Sequence, residues 1–306
     1  MVNAQQWLDE KYPAENKKNV TELEINNTWW VPKEEKLNGS LKLKGFSNLE
    51  SFSCGGNLLT SLEIINCPNL KRIDCYANKL THLKASNLPK LTMIDCSHNQ
   101  LTDLSINNCY QLETFRATDN LLANLNFLNN HDPSKLTFLG VNCNNFSEQD
   151  LSIFSHFINL KDLYLSNDLQ KKIQAGIFNR FVGSLEPLKN LTKLQALNIS
   201  NTDIDNGLEY LSETCKFIYC DVERKDRLPE VQKIQNALKP FGKWHSPPSN
   251  FIGRLITKYD YYDYQEWRKA NPDKIKIAQL EKELEEMRNQ LSSAQIQQAQ
   301  IQILPK

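Results

Sequence analysis

Three cysteines at a fixed interval are the first residues whose type and spacing could do chemistry. Cys54, Cys75 and Cys96 recur every 21 residues. A row of thiolates would suit a thiophilic metal, but zinc sites gather their ligands at short spacings and often add histidine. No histidine joins these three. A period of 21 fits one structural position repeated, where a reduced thiol packs as a small hydrophobe. Cys67 and Cys109 share a second position, which Leu88 fills in the unit between them. Adjacent strands lie about 4.8 Å apart, so distance alone does not exclude a disulfide; compartment and side-chain direction decide. Cys215 and Cys220 with His245 match no zinc spacing. The five histidines are scattered, and their spacing supplies no acid or base partner. There is no H-E-x-x-H, no nucleophile elbow and no phosphate-cradling glycine loop; Gly55-Gly56 is expected on an open strand face. The expectation is a chain that is not an enzyme and needs no metal or cofactor.

Charge narrows the partners. Lys plus Arg equals Asp plus Glu, 36 against 36. A nucleic-acid or anionic-membrane surface needs a positive field, which this balance does not supply. No apolar run is long enough to span a bilayer. The first ten residues show neither a basic n-region nor an apolar h-region, which predicts a cytoplasmic chain with reduced thiols.

The elements that must position these residues come from a repeat. Leu49, Leu70, Leu91 and Leu112 are 21 apart. Three residues on stand Phe52, Ile73, Ile94 and Phe115; five on stand Cys54, Cys75, Cys96 and Ala117. At eight stand Asn57, Asn78, Asn99 and Asn120, and leucines follow at ten and thirteen. Looser units start at Leu136, Leu160 and Leu194, and degenerate ones lie near Val20 and Phe217, for about eight turns. Positions three and five are alternate residues of a short strand and point to one side. One turn buries about six apolar side chains at roughly 1.5–3 kcal/mol each, against roughly 1–2 kcal/mol per ordered residue. A single unit therefore cannot fold alone, and stacking must supply the rest. The asparagine at eight carries donors and an acceptor that can satisfy the turn and the next coil. Asp168 and Thr202 replace it later, where less regular turns are expected.

The frame L-x-x-L-x-L-x-x-N-x-L is the leucine-rich-repeat consensus. With cysteine at its third apolar position, as in residues 70–83 and 91–104, it resembles the 21-residue cysteine-bearing repeats of the internalin type. The likeness covers roughly residues 20–215 and is best over 49–127. It implies a curved solenoid whose strand face binds other proteins. Similar repeats also occur in intracellular fungal and other eukaryotic repeat proteins, which fits a helical tail better than an extracellular adhesin.

The expected fold is therefore α/β: a leucine-rich-repeat solenoid over 20–227 with short parallel strands on its concave face. A helical cap over 1–19 follows from Asn3 as N-cap and from Ala4, Trp7 and Leu8 on one face. Residues 228–272 form a second cap and linker, with Leu228, Val231, Ile234 and Leu238 at helical spacing, then Ser246-Pro247-Pro248-Ser249. Phe251, Ile252, Leu255, Ile256 and Tyr259 suit another amphipathic helix. The run Tyr259 to Tyr264 is either aromatic packing on the cap or a docking or phosphorylation site. Over 273–306, heptads place Ile277, Leu280, Leu284, Met287 and Leu291 on one seam, which predicts a coiled coil and a homodimer. A lone amphipathic helix remains the other reading.

The outward positions of successive strands present Arg72, Asp74, Tyr76, Met93, Asp95, His98, Arg116, Asp119, Phe138 and Tyr164. Asp74, Asp95 and Arg116 fall in one column. Arginine and aromatic residues carry most interface energy, so the expected function is a protein-binding scaffold working through this face. Two alternatives stay open: an adaptor whose tail recruits a kinase or ubiquitin-ligase component, and an enzyme with a polar pocket beside the insertion at 168–190.

Overall fold

The computed structural model describes residues 1–27, 30–130, 132–224, 226–243 and 261–303. The repeat frame folds as alternation demands. Nine three-residue strands, one per coil, pair in parallel in chain order. They are Glu22–Glu24, Ser51–Ser53, Arg72–Asp74, Met93–Asp95, Thr114–Arg116, Phe138–Gly140, Asp162–Tyr164, Ala196–Asn198 and Phe217–Tyr219. We number the coils 1 to 9 by these strands. The sequence suggested about eight turns; the loose units near Val20 and Phe217 prove to be full members. The central residue of each strand points inward, and Phe52, Ile73, Ile94, Phe115, Leu139 and Leu163 stack with no exposed surface. The register between neighbours holds without a slip from coil 1 to coil 9. A second parallel sheet of five strands, from Val2–Asn3 to Asp103–Ser105, forms the opposite wall over the first coils. The architecture is the leucine-rich-repeat solenoid, with a long helix at its C-terminal end.

All eight cysteines are buried free thiols. Burial disfavours the thiolate, pushing Cys67 up to about 11 and Cys215 up to about 12. The thiol column therefore serves as packing.

Asparagines tie the coils together. Asn99 donates to the carbonyls of Cys75 in the preceding coil and of Cys96 and Ser97 in its own, at 3.0–3.2 Å, and its Oδ1 accepts the Leu80 N–H at 3.0 Å. Asn78, Asn120 and Asn144 repeat the pattern. In coil 7 the place is not taken by Asp168. Asn179 donates to Val141 O at 2.9 Å and Leu165 O at 3.2 Å, which are the same two carbonyl positions. Residues 168–178 are thus an excursion inserted ahead of the ladder residue. In coil 8, the Thr202 hydroxyl bonds within its own turn, to Ile199 O at 2.7 Å.

Helices close both ends. Helix α1 (Ala4–Lys11) starts at Asn3, whose side chain accepts the Gln6 N–H, and buries Ala4 and Leu8 on coil 1; a single turn, α2 (Ala14–Lys17), follows. The excursion carries α3 (Gln170–Gln174). Helix α4 (Gln232–Leu238) packs beside strand Asp203–Asn206 of coil 8, burying Ile234 and Leu238 together with Val231 just ahead of it. Leu228 does not share that face: it precedes the helix, ahead of Pro229, and is 60% exposed. Strand Tyr261–Asp263 pairs antiparallel with Phe217–Tyr219 and ends the large sheet with Gly242–Lys243. In α5 (Tyr264–Ala270), the Tyr264 hydroxyl donates to the Leu208 and Leu211 carbonyls at 2.6 and 2.9 Å. Tyr262 and Tyr264 are therefore packing residues. Tyr259, His245, the linker at 246–249, Phe251, Ile252, Leu255, Ile256 and the insertion residue Trp29 lie outside the described residues.

Helix α6 (Pro272–Ile303) leaves the cap in one uninterrupted run. Ile275 and Ala278 are buried against the solenoid, Glu281 accepts from the Tyr210 hydroxyl at 2.8 Å, and Glu285 pairs with Lys189. Ile277, Leu280, Leu284 and Met287 point away and are 45–57% exposed.

Candidate functional site: the concave sheet face

Residues two and four places after each coil's opening leucine face outward from the large sheet, because their neighbour between them faces in. Strand pairing sets Asp74 beside Asp95, Asp95 beside Arg116 and Arg116 beside Gly140. The parallel column sets Arg72 beside Met93, then Thr114, Phe138 and Asp162.

Aspartates in this face use one oxygen to hold the strand end. Asp74 Oδ1 accepts the Tyr76 N–H at 3.2 Å, and Asp95 Oδ1 accepts the Ser97 N–H at 3.0 Å. Burial raises the Asp74 carboxyl above its ordinary value, and the neighbouring Asp95 adds to this. Arg72 approaches Asp74 only to 3.8 Å. Asp162 is also raised, again by burial.

Arg116 does not turn toward Asp95. Its guanidinium lies 4.4 Å above the Phe138 ring, a cation–π contact. Phe138 in turn stacks on Tyr164, with centroids 5.4 Å apart. Gly140 makes this possible, because a Cβ there would come within 3.2 Å of the Phe138 ring. Arg116, Phe138 and Tyr164 thus form one layered cluster across three coils. Tyr164 was expected on the exposed surface, but it is 4% exposed. With Phe138 on its face it supports the cluster from beneath, and burial raises its hydroxyl's pKa. The outward residues of coils 3–5 are open in part; Arg72 is exposed, and Asp74, Tyr76, Met93, Asp95 and Arg116 are half-buried.

His98 and Asp119 sit at the rim of the sheet instead of on its flat. Both have left-handed backbone, with φ of 56° and 57°, which tips their side chains into the turn. His98 Nδ1 lies 2.9 Å from Asp119 Oδ2, and Tyr76 packs edge-on against His98 at 5.1 Å. The other Asp119 oxygen takes Lys172 Nζ at 2.6 Å, and Lys172 also donates to Asn120 O and Cys143 O. Burial would raise the Asp119 carboxyl, but hydrogen bonds from His98 and Lys172 outweigh it and hold it below the ordinary value. Lys172 was not foreseen in the sequence; it arrives on α3, which folds back over the rim of coils 5 and 6.

Gly55 is not on an open surface. The Asn26 side chain covers it, accepting its N–H at 2.6 Å, and Gly56 (φ +73°) meets the Asn27 backbone so closely that no Cβ fits. Beneath the excursion, Arg180 and Arg224 both lie over the Phe178 ring, at 4.4 and 4.2 Å, and the paired Arg224 holds the Asp226 carboxyl down at about 2. Among the described residues no group of three His, Cys, Asp or Glu side chains could hold a metal ion, and no helix is long and apolar enough to cross a membrane.

No protein-family model matches the chain, and no curated protein matches its sequence. Solved structures with a similar fold include internalin C2 of Listeria monocytogenes, at 18% identity over 63% of this chain and 76% of that one, with a TM-score of 0.40. A leucine-rich-repeat protein of Leptospira interrogans shows 19% identity over 68% and 63%, with a TM-score of 0.38. The functional domain of InlJ from Listeria monocytogenes, which includes a cysteine ladder, shows 18% identity over 72% and 56%, with a TM-score of 0.33.

Proposed function

We propose that this chain is a non-enzymatic scaffold that binds a protein partner on the concave face of its solenoid and is dimerised by its tail. The observation that carries the first part is the layered Arg116–Phe138–Tyr164 cluster. It sets an arginine and an aromatic ring, pre-ordered by stacking, on a rigid sheet whose neighbours Tyr76, Met93 and Asp95 stay open. Such side chains bury large areas at small entropic cost, which is the make-up of an interface hot spot. Dimerisation is favoured by α6: its docked side carries Ile275, Ala278 and Glu285, and its exposed stripe lies on the other side. In a parallel pair, Glu283 would face Arg288 of a second copy; Glu281, which the heptads set opposite Lys276, is held instead by the Tyr210 hydroxyl of its own chain. Two linked concave faces would then engage a repeated partner with avidity.

Affinity capture from a native lysate tests the face. The bait is wild type beside a Tyr76→Ala, Arg116→Ala, Phe138→Ala variant with an unchanged circular-dichroism spectrum. A partner retained by wild type and lost by the variant is expected. Equal capture by both would move binding off this face.

A further inference from the structure

The concave face has a charge character that the whole chain lacks. Lysine plus arginine balances aspartate plus glutamate overall. On the two outward columns of coils 1–7, however, Glu22, Glu24, Asp74, Asp95 and Asp162 stand against Arg72 and Arg116 alone. Coil 1 carries two glutamates and no cation, and at coils 3 and 4 two aspartates come together beside one arginine of their own strands. Asp74 and Asp95 are direct neighbours in the sheet, about 4.8 Å apart by strand spacing. Each spends its Oδ1 on a backbone N–H, which leaves Oδ2 as the oxygen not tied to the strand end. The cation that register places next to Asp95 is Arg116, but its guanidinium is committed to Phe138. Arg72 touches Asp74 only at the 3.8 Å limit of an ion pair. Two half-buried carboxylates are thus held side by side with little compensation, beside the apolar surfaces of Met93 and Tyr76.

We infer that the occupant of this face is a basic segment of a partner protein, placing a lysine or arginine between Asp74 and Asp95 and an adjoining apolar residue against Met93 and Tyr76. This rests on the concave-face reading above and adds the chemistry of the partner. A cation there is attracted by both carboxylates and relieves their mutual repulsion, while its methylene stem covers the apolar shelf. An acidic segment, or a nucleic acid, meets the same carboxylates as a penalty. A bare divalent ion finds two carboxylates and no third ligand among the described residues.

The test is selection of random dodecapeptides, displayed on phage, against the immobilised full chain. Selected peptides are then titrated against wild type, Asp74→Asn/Asp95→Asn and Phe138→Ala. Asparagine keeps the Oδ1 acceptor for Tyr76 and Ser97, so the first variant removes charge and keeps the strand end. The expected result is enrichment of lysine and arginine, at least tenfold weaker binding to the Asn variant, and several-fold weaker binding between 50 and about 300 mM salt. Peptides that lose binding to Phe138→Ala but show no basic enrichment, or bind the Asn variant equally, would overturn the basic-segment inference and leave the concave-face function standing. No selection, or peptides indifferent to both variants, would overturn that function and this inference together.

Discussion

Asn99 joins two coils through four hydrogen bonds in a turn that excludes water. An alanine there would leave the Leu80 N–H buried without a partner, at a cost of about 1–3 kcal/mol, and would remove three donated bonds, although the Cys75 carbonyl keeps its bond from Asn78. Asn99→Ala should therefore lower unfolding stability by roughly 2–4 kcal/mol. Asn69→Ala, which removes two exposed bonds, one to Ser47 O and one from Lys90 Nζ, should cost under about 1 kcal/mol. Urea titration followed by circular dichroism distinguishes the two, and equal midpoints would remove the ladder's energetic role. The sequence shows this ladder because its asparagines recur with the leucines. It conceals the residue just before each: Ala77, His98, Asp119 and Cys143 share left-handed backbone at one position of successive coils. Only Gly56, at the same position in coil 2, hints at it. That backbone turn is why His98 and Asp119 meet each other at the rim and do not present themselves on the flat.

At the scale of elements, the excursion at 168–178 was legible as an insertion but not as a brace. Its sequence does hold a clue: Asn179-Arg180-Phe181 repeats the N-x-apolar step eleven residues late, with Phe181 fully buried. The contact of α3 with coil 5 depends on Lys172 reaching Asp119, a three-dimensional meeting that no period encodes. Lys172→Met should free α3, so that amides of 169–178 exchange several-fold faster while those of coils 2–4 are unchanged. The global cost should be modest, about 0.5–1.5 kcal/mol, since the pair is partly solvated and His98 remains with Asp119. Acid should act alike. The Asp119 carboxyl titrates below its ordinary 3.8 when folded, so its stabilisation is complete above that value and is lost as pH falls through the lower folded one. Exchange in 169–178 should rise in wild type below about pH 4 and rise less in the variant; identical exchange in both proteins at pH 7 would show that Lys172 does not hold the arm.

For the whole molecule, the tail is both lid and candidate seam. The heptads marked the stripe, but composition could not show which side of α6 the solenoid would claim. Ile275 and Ala278 settle against the cap, with Tyr210 and Lys189 holding Glu281 and Glu285. Deleting residues 273–306 would therefore strip cover from the cap as well as remove the stripe, and a misfolded product would say nothing about assembly. Leu280→Asp/Leu284→Asp is the cleaner change, since both side chains are about half exposed in the single chain. The stripe from Ile277 to Met287 spans only about 15 Å at 1.5 Å per residue, so a weak, concentration-dependent dimer is expected. Sedimentation velocity of wild type should show mass action toward twice the single-chain mass as concentration rises to about 100 μM, with affinity near the micromolar range. The double variant should stay at the single-chain mass throughout, with an unchanged thermal midpoint, because charging an exposed stripe leaves the monomer's packing untouched. A monomeric wild type over that range, or a variant that still dimerises, would leave α6 as a cap alone. The concave face would then work as a single site, without avidity.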